Sequence, residues 1–337
     1  MAGITIEEGR VGKRSRLYRH LTEPRRRKAM HLGNSPELSL KRLNGSHPVF
    51  LLKEADGGRQ YILKSFTEHG VSTSRLLRIM NKEYDRLKYL ERIRPGGGRS
   101  RCARPVCRDR AGLFFIEEAV RGRSLGKYAA EWLRRGHGPP EAQLDLLAGF
   151  LYDLHSCTAT GTAVRPGVVR KELQKHVVQA RDHGSLGNAE LGEARKLVDR
   201  WCRSTGIRTA KLSLVHGDAT VSNFMFRGGR MFAIDLERSR CADPAYDLGT
   251  MAGELFNEAL AHTGNPYKAD PCIHLLYRSY AERSRDPGAE FASLTARNPL
   301  YMANSLLRMS RNRYFTPDHR RKLAFYAMEC LRSPVPE

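Results

Sequence analysis

The chain has 337 residues, 40% of them apolar, enough to bury one large or two modest cores; two lobes are expected, and disorder throughout is not. Its formal net charge is +22, from 58 Lys and Arg against 36 Asp and Glu. That excess attracts polyanions and repels polycations, so anionic partners or substrates are expected, with an arginine-rich surface serving solubility as the alternative.

No run of 18 apolar residues occurs, and the start MAGITIEEGR carries acids where a secretory signal has a basic region before an apolar stretch. The expectation is a cytoplasmic chain without a transmembrane segment. Between Arg10 and Lys28 the run RVGKRSRLYRHLTEPRRRK holds nine Lys or Arg and one acid, with Leu17, Tyr18 and Leu21 spaced loosely for a helix face. Residues 1–32 read as a basic N-terminal extension preceding the fold. It could strap phosphates or an anionic surface; a solvated, partly disordered arm is the favoured reading.

From Val49, VFLLKEADGGRQYILKSF reads as two strands around an Asp56-Gly57-Gly58 turn, where glycine tolerates positive φ. Alternation puts Ile62, Lys64 and Phe66 on one face, so the Lys64 ammonium must snorkel or meet an anion. The next segment has Leu76, Leu77, Met80, Tyr84, Leu87 and Leu90 at helical spacing, with Glu83 inside or at the edge of the stripe. Inside it an unpaired carboxylate would be costly, and a pair with Lys64 would satisfy both. RPGGGRSR breaks the helix, and GLFFIEEAV reads as a buried strand closing an N-lobe over 33–120. Cys102 and Cys107 lack zinc spacing, and the seven cysteines read as reduced thiols. Over 121–337 the chain is mostly helical, beginning with the amphipathic EAQLDLLAGFLYDLHS, whose His155 is given no catalytic role. Breaks are expected at GNPYKADP, RDPG and YFTPDH.

LSLVHGD reads as a short buried strand running into a loop, and NFMFRGGRMFAIDLE as a hairpin turning at Gly228-Gly229. Asp218 starts the loop, Asn223 follows at D-x4-N spacing, and Asp235 ends the second hairpin strand. A solvated acidic face is one reading. The other is a loop that presents one carboxylate to a substrate hydroxyl while an amide oxygen and a second carboxylate coordinate magnesium, a hard cation that prefers oxygen ligands.

With HGDATVSN, IDLE and DPAYDL in this order, the sequence resembles the kinase-like small-molecule phosphotransferases, the group containing aminoglycoside phosphotransferases and choline kinases. Gly217 where protein kinases carry arginine, and DLE in place of Asp-Phe-Gly, favour the small-molecule branch. The resemblance implies an α+β, protein-kinase-like two-lobed fold with a small antiparallel-sheet N-lobe and a larger helical C-lobe. It implies ATP and Mg2+ as cofactors, Lys64 on the α and β phosphates, Glu83 as its helix partner, and Glu117, Glu118 and Val120 in an adenine-binding connection. Asn223 and Asp235 would hold the metal, and Asp218 would accept or orient the substrate hydroxyl proton. His216 and Asp247 would support the loop, the first by bonding backbone near Asp235. Glu237 would touch a second metal or the substrate, or form an exposed salt bridge. The phosphate-covering loop would fall near 44–47, although KRLNGSHPVF has one glycine; no Walker motif is present.

The resemblance leaves the acceptor open. From Met251 onward there are nine Asp or Glu against twelve Lys or Arg, an unfavourable balance for a polycationic antibiotic. Glu254 and Glu258 could face a small amine, whereas Arg308, Arg311 and Arg313 with HRRK at 319–322 could form an anion-binding surface. The first expectation is a kinase of a small-molecule or sugar hydroxyl, an anionic acceptor included. A kinase acting on RNA through the basic arm and tail, and a non-catalytic pseudokinase-like module, are the alternatives; oligomeric state is not assigned.

Overall fold

Alternation between buried and exposed residues builds a six-stranded antiparallel sheet in the first third of the chain. Its spatial order is Gly9–Arg10, Leu38–Leu43, Val49–Glu54, Gln60–Ser65, Phe114–Glu118, Pro105–Asp109. The structure, a computed structural model, describes residues 3–43, 48–55, 58–67, 70–136 and 138–335. Two strands of the sheet pair with Lys53 opposite Gln60 and Val49 opposite Lys64. Asp56 and Gly57 of the expected turn lie outside the described residues, as do residues 44–47, where the phosphate-covering loop was placed. The helix Thr73–Ile93 buries Leu76, Met80, Glu83, Tyr84, Leu87 and Leu90 and ends at Arg94 in left-handed backbone, φ 48°.

Backbone contacts divide the chain into one unit of Met1–Arg94 with Cys102–Arg121 and another of Pro95–Arg101 with Gly122–Glu337. The glycine-rich break goes with the second unit, where the Gly96 amide donates to Asp153 Oδ2 at 2.8 Å.

The basic segment before residue 33 is not an appendage, and here the expectation is corrected. Ile4, Val11, Leu17, Tyr18, Leu21, Met30 and Leu32 are buried in one cluster with Leu38, Leu40, Phe50, Leu52, Leu63, Phe114 and Ile116 of the sheet. The segment adds the edge strand Gly9–Arg10 and the short helices Arg16–Leu21 and Pro24–Ala29. Asp109, 1% exposed, clamps it: Arg26 Nη2 lies 2.9 Å and His20 Nδ1 2.6 Å from Asp109 Oδ2. Few but well-spaced apolar side chains outweigh the charge count, because long basic side chains keep their heads in water while their neighbours are buried.

The second unit is helical around the hairpin Phe224–Arg227 and Arg230–Ala233 and the pair Ser213–Val215 with Arg240–Ala242. The three expected breaks each start a helix with proline in the first turn and a capping side chain, from Asn265, Asp286 and Thr316. Helix Ala245–Thr263 packs on Pro287–Ser310. The crossing is close because a Cβ at Gly249 would sit 2.4 Å from Tyr301 Cβ, and one at Gly253 2.8 Å from Ser305 Cβ. All seven cysteines are free.

Candidate active site

In the first unit Lys64 is buried, and its ammonium lies 2.7 Å from Glu83 Oε1 and 3.6 Å from Glu117 Oε1. Strand pairing puts Lys64 opposite Phe115, and the helical stripe delivers Glu83 from the other side. Glu117 and Glu118 belong to the strand Phe114–Glu118, and Val120 follows its end. The Glu118 amide donates to Arg104 O at 2.9 Å, so that N–H is not a donor for adenine.

In the second unit the loop from His216 hangs on one buried carboxylate. Asp247, fully buried, accepts from the amides of His216 at 2.7 Å and Gly217 at 2.9 Å, and its Oδ2 lies 3.0 Å from His155 Nε2. Burial pushes its pKa up, but the bond from His155, the charges of His155 and His216 and the Gly217 amide outweigh this and hold it below the ordinary value. His155 reaches Tyr280 OH through Nδ1 at 3.0 Å. This support role was missed in the sequence because the helix pattern explains a buried histidine equally well.

Gly217 has φ 79°, and a Cβ there would lie 2.2 Å from Arg238 O; only glycine fits this close backbone approach. His216 Nε2 lies 3.0 Å from the carbonyl of Ile234, so Nε2 carries the proton. Asn223 donates Nδ2 to the backbone carbonyl of Asp218 at 2.9 Å, and Ile234 N donates to Asn223 O at 3.0 Å. Base candidate, amide and hairpin end are thereby tied into one hydrogen-bonded frame. Asp235 sits in left-handed backbone, φ 59°, a conformation that costs a non-glycine residue about 1–3 kcal/mol and persists where the surroundings enforce it.

The donor set fits a magnesium ion. The Asn223 amide nitrogen donates to a carbonyl, so its oxygen would be the end available to the metal, and Asp235 would offer a carboxylate. Among the described residues no group of three or more His, Cys, Asp or Glu could hold a metal ion. Magnesium that keeps waters and triphosphate oxygens needs only one or two protein oxygens.

Asp218 has a partner that sequence reading did not find. Arg308 Nη1 donates to Asp218 Oδ1 at 2.7 Å and Nη2 to Glu254 Oε1 at 2.9 Å. Burial pushes the Glu254 carboxyl up to about 7, against the pull of Arg308 and with a further push from Asp218 and Glu258. Glu258 pairs with His262 at 3.4 Å, and Glu237 lies 3.6 Å from Arg238 Nε. Of the residues expected to form an anion-binding surface, Arg308 is paired as above, Arg311 is bonded to Gln179 Oε1 at 2.6 Å and Arg320 to His183 O at 3.1 Å. A concavity of about 520 Å³ is lined by Val221 and Ser222 of the loop together with Arg123, Lys127, Arg134 and Glu258.

Among the described residues no helix is long and apolar enough to cross a membrane. No curated protein matches the sequence at a significant level. Solved structures do match in fold. Choline kinase LicA from Streptococcus pneumoniae aligns with TM-score 0.56 and 18% identity over 88% of this chain and 94% of its own. The streptomycin–ATP complex of APH(2")-IIa aligns with TM-score 0.53 and 14% identity over 96% of this chain and 98% of its own. An ethanolamine kinase from Plasmodium vivax aligns with TM-score 0.54 and 15% identity over 87% of this chain and 80% of its own. The model of the phosphotransferase enzyme family matches residues 39–283. The chain belongs to that family: it has the kinase-like fold and is a phosphotransferase whose acceptor is an alcohol group.

Proposed function

We propose that this phosphotransferase uses ATP and magnesium to move the γ-phosphate to a hydroxyl of a small molecule. The observation that carries the reading is the frame joining the Asp218 carbonyl, the Asn223 amide and the residue before Asp235. In this reading Asp218 accepts or orients the hydroxyl proton, Asn223 and Asp235 hold magnesium, and Lys64, kept in place by Glu83, binds the phosphates. Bound magnesium would neutralise charge on the transferring phosphate. ATP is supported by the ATP-bound fold neighbour.

For the acceptor, the geometry favours a neutral or amine-bearing alcohol over an anionic one. Arg308 already serves two carboxylates, and Glu254 and Glu258 keep the neighbourhood acidic. The choline, ethanolamine and streptomycin in the neighbours' names carry cationic nitrogen groups beside hydroxyls. None of these neighbours' names points to RNA, and the basic segment is folded against the first unit's sheet through its apolar side chains instead of standing apart as an arm. The test is transfer of labelled γ-phosphate into separated fractions of metabolites, envelope glycolipid and RNA, with Asp218→Asn as the blank. Label in the small-molecule fraction alone is expected; label confined to RNA would overturn the reading.

A further inference from the structure

Helix Ala245–Thr263 carries Asp247, which braces the loop, and Glu254, which lies seven positions on and hence on the same face. Helix Pro287–Ser310 carries Arg308, and the contacts at Gly249 and Gly253 lock its register against Ala245–Thr263. Ser305 Oγ donates to Thr250 O at 3.2 Å across the same crossing. The guanidinium is therefore held by rigid elements, 16% exposed, with one fork on Glu254 and the other on Asp218 Oδ1.

We infer that Arg308 is a positioning residue for phosphoryl transfer: anchored by Glu254, it pins one oxygen of Asp218 and so aims the other, Oδ2, at the acceptor hydroxyl. This rests on Asp218 being the residue that receives the hydroxyl. A carboxylate on a short side chain has a staggered χ1 and a broad χ2 to fix, and a part-buried bond from a guanidinium plane restrains both. Among the described residues no hydrogen bond engages Oδ2. An arginine that merely capped the base would have to leave before an acceptor could bind; the monodentate contact lets both be present.

The test compares the parent, Arg308→Lys, and the double variant Arg308→Met with Glu254→Gln, which leaves no unpaired carboxylate at 254 should Arg308→Met alone fail to fold. Single-turnover release of labelled phosphate from trace magnesium-ATP, with water as acceptor and enzyme in excess, gives the rate and, as enzyme concentration is varied, the half-saturating concentration for the ATP complex. A rate about ten-fold lower or more in the double variant, half-saturation within about two-fold of the parent, and partial recovery in Arg308→Lys are expected. A double variant as fast as the parent, or faster, while Asp218→Asn is inactive, would overturn the role of Arg308 alone. An Asp218→Asn variant as fast as the parent would instead remove the proposed function.

Discussion

In the first unit the buried Lys64 lies between two carboxylates, Glu83 and Glu117, and in the second the part-buried Arg308 lies between Asp218 and Glu254. In the first the cation is the group proposed to meet the nucleotide, and the carboxylates hold it. In the second a carboxylate is the group proposed to meet the acceptor, and the cation holds it. The lesson is one of preorganisation: a long flexible lysine is kept by two anions, while a short aspartate needs only one bond from a cation that is itself anchored.

That comparison can be broken at several points. The largest effect should come from deleting residues 1–32, which removes Leu17, Leu21 and Met30 from the core beside the sheet that carries Lys64. At about 1.5–3 kcal/mol for each side chain, the first unit should lose cooperative unfolding, as read by calorimetry. An undisturbed transition would mean that the segment is not part of that core. Asp218→Asn should lower phosphoryl transfer by about 10²–10⁴-fold, with nucleotide affinity kept, as measured by labelled transfer and calorimetric titration. Asp247→Asn leaves the amides of His216 and Gly217 with a weaker acceptor, and should cost about 3–5 kcal/mol in urea unfolding. Since the folded Asp247 carboxyl lies below its ordinary 3.8, its stabilisation is present above that pH and is lost as pH falls through the folded value. The parent should therefore weaken below about pH 4, and the variant should show less of that loss.

Smaller effects sharpen the contrast. Lys64→Met should weaken ATP binding by about ten-fold or more in titration calorimetry, consistent with the loss of a charge-assisted bond of about 1.5–3 kcal/mol; equal affinity would remove Lys64 from the phosphate site. Glu254 behaves oppositely to Asp247. With its carboxyl raised to about 7, its share of stability is present below the ordinary 4.5 and is lost as pH rises toward 7. Glu254→Gln should flatten that decline in denaturation profiles taken between about pH 5 and 8; an unaltered slope would place the titration elsewhere.

Local pattern made much of this legible. Helix Thr73–Ile93, the strands around 49–66 and the hairpin at 228–229 follow from periodicity and turn glycines, and Lys64 with Glu83 from two patterns only 19 residues apart. The basic run at 10–28 reads as an arm because charge is counted residue by residue, whereas Leu17, Tyr18 and Leu21 gain their value only against a surface formed elsewhere. His155 and Arg308 carry no local mark of their roles: their partners lie 92 and 90 residues away.

By itself, the order of residues determined the elements, the reaction family and the three polar groups from 218 to 235, because each depends on near neighbours and on backbone preferences. Tertiary structure alone decided what surrounds them. Glu254 became an anchor and Arg308 a partner of Asp218 only when two glycines let two helices approach closely enough to bring a guanidinium and two carboxylates within hydrogen-bond reach. Such short-range interactions between distant residues have no trace in spacing, since the energy that selects them exists only once the chain has packed.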